Sequence, residues 1–155
     1  MPDALPSIPE FSTIRDMRQS DAESVSQLTT QLGYSRTPHD VNAWIARLAE
    51  QPAGQAAFVA CIRDEIVGWI EVSIQRHLQS EPFAMIGGLV VSDRVRGRGI
   101  GRLLCHRAEQ WTWDHRLDTL RVTSRSTRAD AHRFYLRDGY HQVKTSLVFE
   151  KSRPA

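Results

Sequence analysis

Residues 94–105 read R-V-R-G-R-G-I-G-R-L-L-C, three glycines at alternate positions with four arginines among them. An apolar run, A-M-I-G-G-L-V-V-S (84–92), precedes the stretch, and Ile100, Leu103, Leu104, Ala108 and Trp111 follow on one helical face. A strand therefore ends, the chain turns through glycine, and a helix starts at once. Such a turn aims several unpaired backbone N–H groups, together with the positive end of the helix dipole, at one point. A phosphate suits that point. Gly97, Gly99 and Gly101 remove the side chains that would block its approach and permit positive φ, while Arg96, Arg98 and Arg102 add charge around it. A tight turn with solvated arginines is the plainer alternative, but three glycines in five residues are unfavourable in an ordinary turn. The dinucleotide fingerprint G-x-G-x-x-G fails because position 102 is Arg and no early βαβ unit surrounds the loop. The nucleotide P-loop fails for want of its G-K-[ST] ending.

Outward from this loop, the chain punctuates itself clearly. Ile14 to Arg18 is a short strand. Ser20 and Glu23 have capping-box spacing, and Val25, Leu28 and Leu32 follow at helical spacing until Gly33. In Thr37-Pro38-His39-Asp40, Thr37 can cap and Pro38 suits the first helical position, with Val41, Trp44, Ile45 and Leu48 forming one face. The runs 56–62 and 66–74, joined by Arg63-Asp64-Glu65, read as a hairpin; Ile70, Val72 and Ile74 alternate with Glu71, Ser73 and Gln75. The third run carries a glycine pair where a bulge or a close ligand approach fits. After the loop helix come a strand over 119–124, a helix capped by Thr127 and Asp130 and stopped by Gly139, and a last strand over 143–149. The order β-α-α-β-β-β-α-β-α-β predicts an α+β fold, a mixed and mostly antiparallel sheet flanked by helices.

The chain has 155 residues, 41% of them hydrophobic and 25% charged, as in ordinary globular domains. A flexible leader over 1–12 and a single domain over 13–155 are expected. No apolar run approaches the roughly 20 residues of a membrane helix, and the leader has neither the charge nor the apolar stretch of a signal peptide. Cys61 and Cys105 lie in apolar segments without metal-site spacing, as core thiols of a cytoplasmic protein would. Residues 94–137 hold 11 Arg against 4 acids, whereas residues 1–93 hold 6 Arg against 12 acids. That division suits an anionic ligand on one side and a cationic one on the other.

The segment L-V-V-S-D-R-V-R-G-R-G-I-G-R-L-L (89–104) resembles the acyl-CoA signature of the GNAT N-acetyltransferase superfamily, R-x-x-G-x-G after a strand, met by Arg96, Gly99 and Gly101. A second family element, A-x-x-F-Y-x-x-x-G-[FY], is matched by Ala131, Phe134, Tyr135, Gly139 and Tyr140. The segment 130–140 is similar to that of the aminoalkylphosphonate N-acetyltransferases in particular, although those carry a carboxylate immediately before L-V-V, where this chain has Gly88. The resemblance implies a GNAT fold with a six- to seven-stranded sheet and about four helices.

It also implies direct acetyl transfer from acetyl-CoA to a primary amine, most simply that of a small molecule. The pyrophosphate would lie on the backbone of 96–101 (Arg96, Gly97, Arg98, Gly99, Ile100, Gly101), with Arg102 starting the helix. The pantetheine would lie along Leu89, Val90 and Val91, and cofactor contacts are implied at Arg128, where many members carry Asn, and at Ala131 and Phe134. Tyr135 matches the tyrosine that protonates the leaving thiolate; a phenol keeps its proton at neutral pH and can act as an acid. For deprotonation of the amine the residues leave Glu71, His77, Glu81 or a water chain open. Homodimers are common in the superfamily, and one is expected here; no membrane or nucleic-acid partner is expected. Competing readings are a protein or peptide acetyltransferase, a non-catalytic acyl-CoA sensor, and a basic nucleic-acid module built on the Arg-rich half.

Overall fold

A computed structural model describes residues 8–51 and 53–155, so most of the expected leader (1–7) lies outside the described residues. Backbone contacts divide the chain after Val122 into two units.

The first unit is built on a five-stranded sheet in sequence order: β1 (Ser12–Asp16), β2 (Gln55–Ile62), β3 (Glu65–Gln75), β4 (Phe83–Val91) and β5 (Leu120–Val122). Neighbours are antiparallel up to β4, and β5 runs parallel to β4. Antiparallel neighbours need only short turns, and Arg63 (φ 56°) makes the one between β2 and β3. The single parallel pair needs a crossover, which is α3 (Ile100–Asp114).

Between β1 and β2 lie α1 (Ala22–Thr30) and α2 (Pro38–Glu50). Val25, Val41 and Ile45 from these helices are buried with Ala57, Val59 and Cys61 of β2, and Trp69 of β3 packs against the same cluster. Strand alternation sends the other set to α3: a Cβ at Gly68 would meet Leu104 Cδ1 at 3.1 Å and Ile100 Cγ2 at 3.6 Å. Ile100, Leu104, Cys105 and Ala108 form the buried stripe of that helix.

The start of α2 matches the sequence reading. Asp40 N–H donates to Thr37 Oγ1 and Thr37 N–H donates to Asp40 Oδ2, both at 3.1 Å, with Pro38 in the first turn. The start of α1 corrects it. The Ser20–Glu23 box does not form; a 3-10 turn over Gln19–Asp21 precedes the helix, and Arg18 N–H donates to Asp21 Oδ2 at 2.8 Å. Asp21 prevails because Arg15 of β1 grips both its oxygens at 2.8 Å, tying helix to sheet. Burial alone would raise the Asp21 carboxyl, but the Arg15 and Arg18 hydrogen bonds outweigh it and hold it below the usual carboxylate range.

The second unit, residues 123–155, holds α4 (Ala129–Arg137), closed by Gly139 at φ 91°. Its expected Thr127–Asp130 cap is not made: Arg128 is the N-cap with no side-chain bond, and Asp130 pairs with Arg133 instead. The expected strand over 143–149 is also absent, so five strands form among the described residues rather than six or seven. Residues 140–155 adopt neither helix nor strand, and Leu147, Val148 and Phe149 are exposed. Strand propensity yields a strand only where a neighbour completes the ladder, and no described strand pairs with this segment.

Asp21→Asn is expected to cost roughly 3 kcal/mol in urea unfolding at neutral pH, because Arg15 loses its charged partner. The lowered carboxyl pKa contributes stability that is present above the ordinary Asp value and lost as pH falls through the folded-state value, so the gap to wild type should close on acidification.

Candidate active site

Three parts of the first unit converge on the end of β4. The first is the glycine loop. After a 3-10 turn over Asp93–Val95, Gly97 (φ 77°) and Gly99 (φ 85°) both take the left-handed conformation. Gly99 is the N-cap of α3, its carbonyl accepting from Leu103 N–H at 3.1 Å. No side chain caps this terminus and no acid stands in its first turn, so its amides and dipole are available to an anion. Gly101, in contrast to the expectation, needs no positive φ; it lies inside the first turn of α3. A Cβ at Gly97 would meet nothing within 4 Å, so its glycine is required by backbone conformation rather than by crowding. Arg96 pairs with Asp93 at 2.8 Å and Arg94 with Glu65, which ties the turn to β3; Arg98 is exposed.

The second part is the open edge of β4. Its parallel ladder with β5 covers Ala84–Leu120, Met85–Arg121 and Ile86–Val122 and stops there. Ser92 N–H donates to Val67 C=O at 2.7 Å on the β3 side. By alternation, the N–H and C=O groups of Leu89 and Val91 therefore face the other edge, which no described strand pairs. An extended ligand with amide groups could pair there as a strand would.

The third part is a carboxyl on bare backbone. Glu71 pairs with Gly88 and Val72 with Ile86, leaving Gly87 as the extra residue of a bulge. A Cβ at Gly87 would sit 2.6 Å from Glu71 Oε1, and one at Gly88 would sit 2.7 Å from Cη2 of Trp69. Both side chains thus lie over the glycine pair. Burial pushes the half-buried Glu71 carboxyl up from the usual range. His77 and Glu81 do not join it. Both are exposed beyond the Gln75–Phe83 end of the ladder, roughly 13 Å along the strands from Glu71. Trp69 was legible in principle, since it shares a strand face with Glu71 two residues away; nothing local in the sequence marks Gly87 as the bulged residue.

In the second unit, Arg128 is exposed, and Ala131, Phe134 and Tyr135 are half-buried. The Tyr135 ring meets Phe134 edge-on at 5.2 Å and Tyr140 at 5.7 Å, and Tyr140 N–H donates to Tyr135 C=O at 3.0 Å. Gly139, with its positive φ, turns the chain so that Tyr140 folds back on the helix end.

A strand, a left-handed glycine loop and an uncapped helix N-terminus beside an unzipped parallel ladder form a site suited to an extended, anionic ligand. Residues 14–140 match the family model described as the acetyltransferase (GNAT) family, and the chain belongs to that family. It is 28% identical over 142 residues to the aminoglycoside N(6')-acetyltransferase type 1 of Stenotrophomonas maltophilia, covering 88% of this chain and 91% of that one. It is 38% identical over 79 residues, about half of each chain, to the aminoalkylphosphonate N-acetyltransferase of Salmonella typhimurium. The fold is shared with the aminoglycoside N-acetyltransferase AAC(6')-Iy in its complex with CoA, at a TM-score of 0.81 and 18% identity, covering 90% of this chain and 94% of that one.

Gly88→Ala is expected to push the Trp69 ring aside, since the new Cβ and the ring cannot share 2.7 Å. A displaced Trp69 resonance in 19F NMR of fluorotryptophan-labelled protein checks this. Gly54→Ala, whose Cβ would meet nothing within 4 Å, should leave that resonance in place.

Proposed function

We propose that the protein transfers the acetyl group of acetyl-CoA directly to the primary amine of a small molecule. The observation that carries this reading is the pair of left-handed glycines opening onto the uncapped N-terminus of α3, beside the free edge of β4. The loop amides suit a pyrophosphate, and the 89–91 edge, whose Val91 carbonyl already accepts from Gln31 Nε2, leaves the Leu89 groups and the Val91 N–H for the amides of a pantetheine arm. Acetyl-CoA supplies an activated thioester carbonyl; the chain supplies binding, orientation and proton transfers.

Glu71 takes the proton of the incoming ammonium. Its raised pKa makes it a better proton acceptor than an ordinary carboxylate, and its site on the bulge replaces the acid that Gly88 lacks. The freed amine then attacks the thioester carbonyl carbon, the C–N bond forms, and the C–S bond breaks. Tyr135 gives its phenolic proton to the departing sulfur. The acceptors in the names of the relatives, an aminoglycoside and an aminoalkylphosphonate, both offer a primary amine, which supports a small cationic acceptor. We place the enzyme in the cytoplasm, in keeping with its two free buried thiols, and we expect a homodimer, checked by sedimentation. Among the described residues, no helix is long and apolar enough to cross a membrane.

Calorimetric titration with acetyl-CoA should show saturable binding by the wild type and none by Gly99→Glu, whose side chain would require positive φ and place a negative charge at the anion site. A folded wild type that fails to bind would overturn the reading. Tyr135→Phe should retain binding and lose about tenfold or more in kcat.

Glu71→Gln should lower kcat about a hundredfold and remove the acidic limb of the pH–rate profile, on which activity rises as the carboxyl ionises. The same change should stabilise the fold near pH 8. Burial penalises the ionised form, so the wild type carries that cost above its raised pKa and sheds it below the ordinary Glu range; the gain should vanish near about pH 4.

A further inference from the structure

Where β4 ends, a side chain takes the place of the missing strand. Gln31, the C-cap of α1, donates from Nε2 to Val91 C=O at 3.0 Å and accepts from Asp93 N–H through Oε1 at 3.2 Å. The residue between these two, Ser92, turns its own N–H the opposite way, to Val67 C=O of β3. One partner that takes the carbonyl of residue i−1 and the amide of residue i+1 is how a residue of a parallel strand pairs with its neighbour. The Gln31 carboxamide therefore acts as a one-residue strand, reaching across 60 positions of sequence to the point where β4 passes into the anion loop.

The other side-chain ties on this turn are of a different kind. Arg94–Glu65 and Arg96–Asp93 join mostly exposed side-chain ends, which fix a backbone weakly. Gln31 grips the main chain itself, at the last carbonyl of β4 and the first amide of the Asp93–Val95 turn. We propose that Gln31 is a positioning residue for the acetyl-CoA loop. It sets the path of the backbone entering Gly97 and Gly99, and hence the direction of the loop amides, and it couples that loop to α1. The inference rests on the acetyl-CoA reading for its ligand but not for its geometry.

Only a carboxamide of this length offers both a donor and an acceptor. Gln31→Met keeps the shape and loses both bonds; Gln31→Glu keeps the acceptor and sets a charged oxygen against Val91 C=O. Hydrogen exchange of the free protein should accelerate over 91–99 in both variants and stay unchanged in β2 and α3. KM for acetyl-CoA should rise about fivefold in Gln31→Met and further in Gln31→Glu, with kcat at saturating acetyl-CoA held within about twofold. Unchanged exchange over 91–99 overturns the proposal, as does a fall in kcat with KM unchanged. If the wild type does not bind acetyl-CoA, the functional reading falls, and exchange alone decides whether Gln31 orders the loop.

Discussion

The parallel ladder between β4 and β5 lasts three residue pairs, and the site depends on its brevity. Had it continued past Ile86, the backbone groups of Leu89 and Val91 would be committed within the sheet. Two features accompany the break. The bulge at Gly87 adds a residue to β4 alone, and a bulge increases local twist and bends the strand that carries it. α3 then returns the chain so that β5 meets only the first half of β4. The strand consequently has two parts, one buried in a continuous sheet and one whose outer edge, apart from the Val91 carbonyl held by Gln31, pairs with no described strand.

The same bulge accounts for the carboxyl. Glycine at both positions leaves a hollow in the sheet surface, and Trp69 and Glu71 lean into it from the neighbouring strand. A half-buried carboxyl with no cationic partner among the described residues is unfavourable in its ionised form, and burial raises its pKa accordingly. The arginine-bearing glycine loop follows the strand against which the acid rests.

Those parts of the fold governed by local chemistry were readable from the sequence. The glycine loop, the Thr37–Asp40 box and the β2–β3 hairpin are each specified within a few residues, and each forms. Where distant residues compete, the reading fails for identifiable reasons. Ser20 is a good cap, yet Asp21 wins because Arg15 of β1 reaches it. The 143–149 run has the composition of a strand, but a strand is a relation between two segments. Gly101 looks like its two companions and is simply helical. The site divides likewise: Glu71 stood out as an acid on the polar face of a strand, whereas its burial depends on a bulge in β4 and the role of Gln31 on a meeting across 60 residues.

The unpaired run after α4 bears on how the protein behaves in concentrated solution. S-L-V-F (146–149) is short, β-prone and exposed, the composition through which chains stack on one another edge to edge. It is bracketed by Lys144 on one side and by Glu150 and Lys151 on the other, charges that would face their like in an in-register parallel stack and repel. The segment thus carries its own gatekeepers, and its colloidal behaviour should be governed by ionic strength rather than by the stability of the fold.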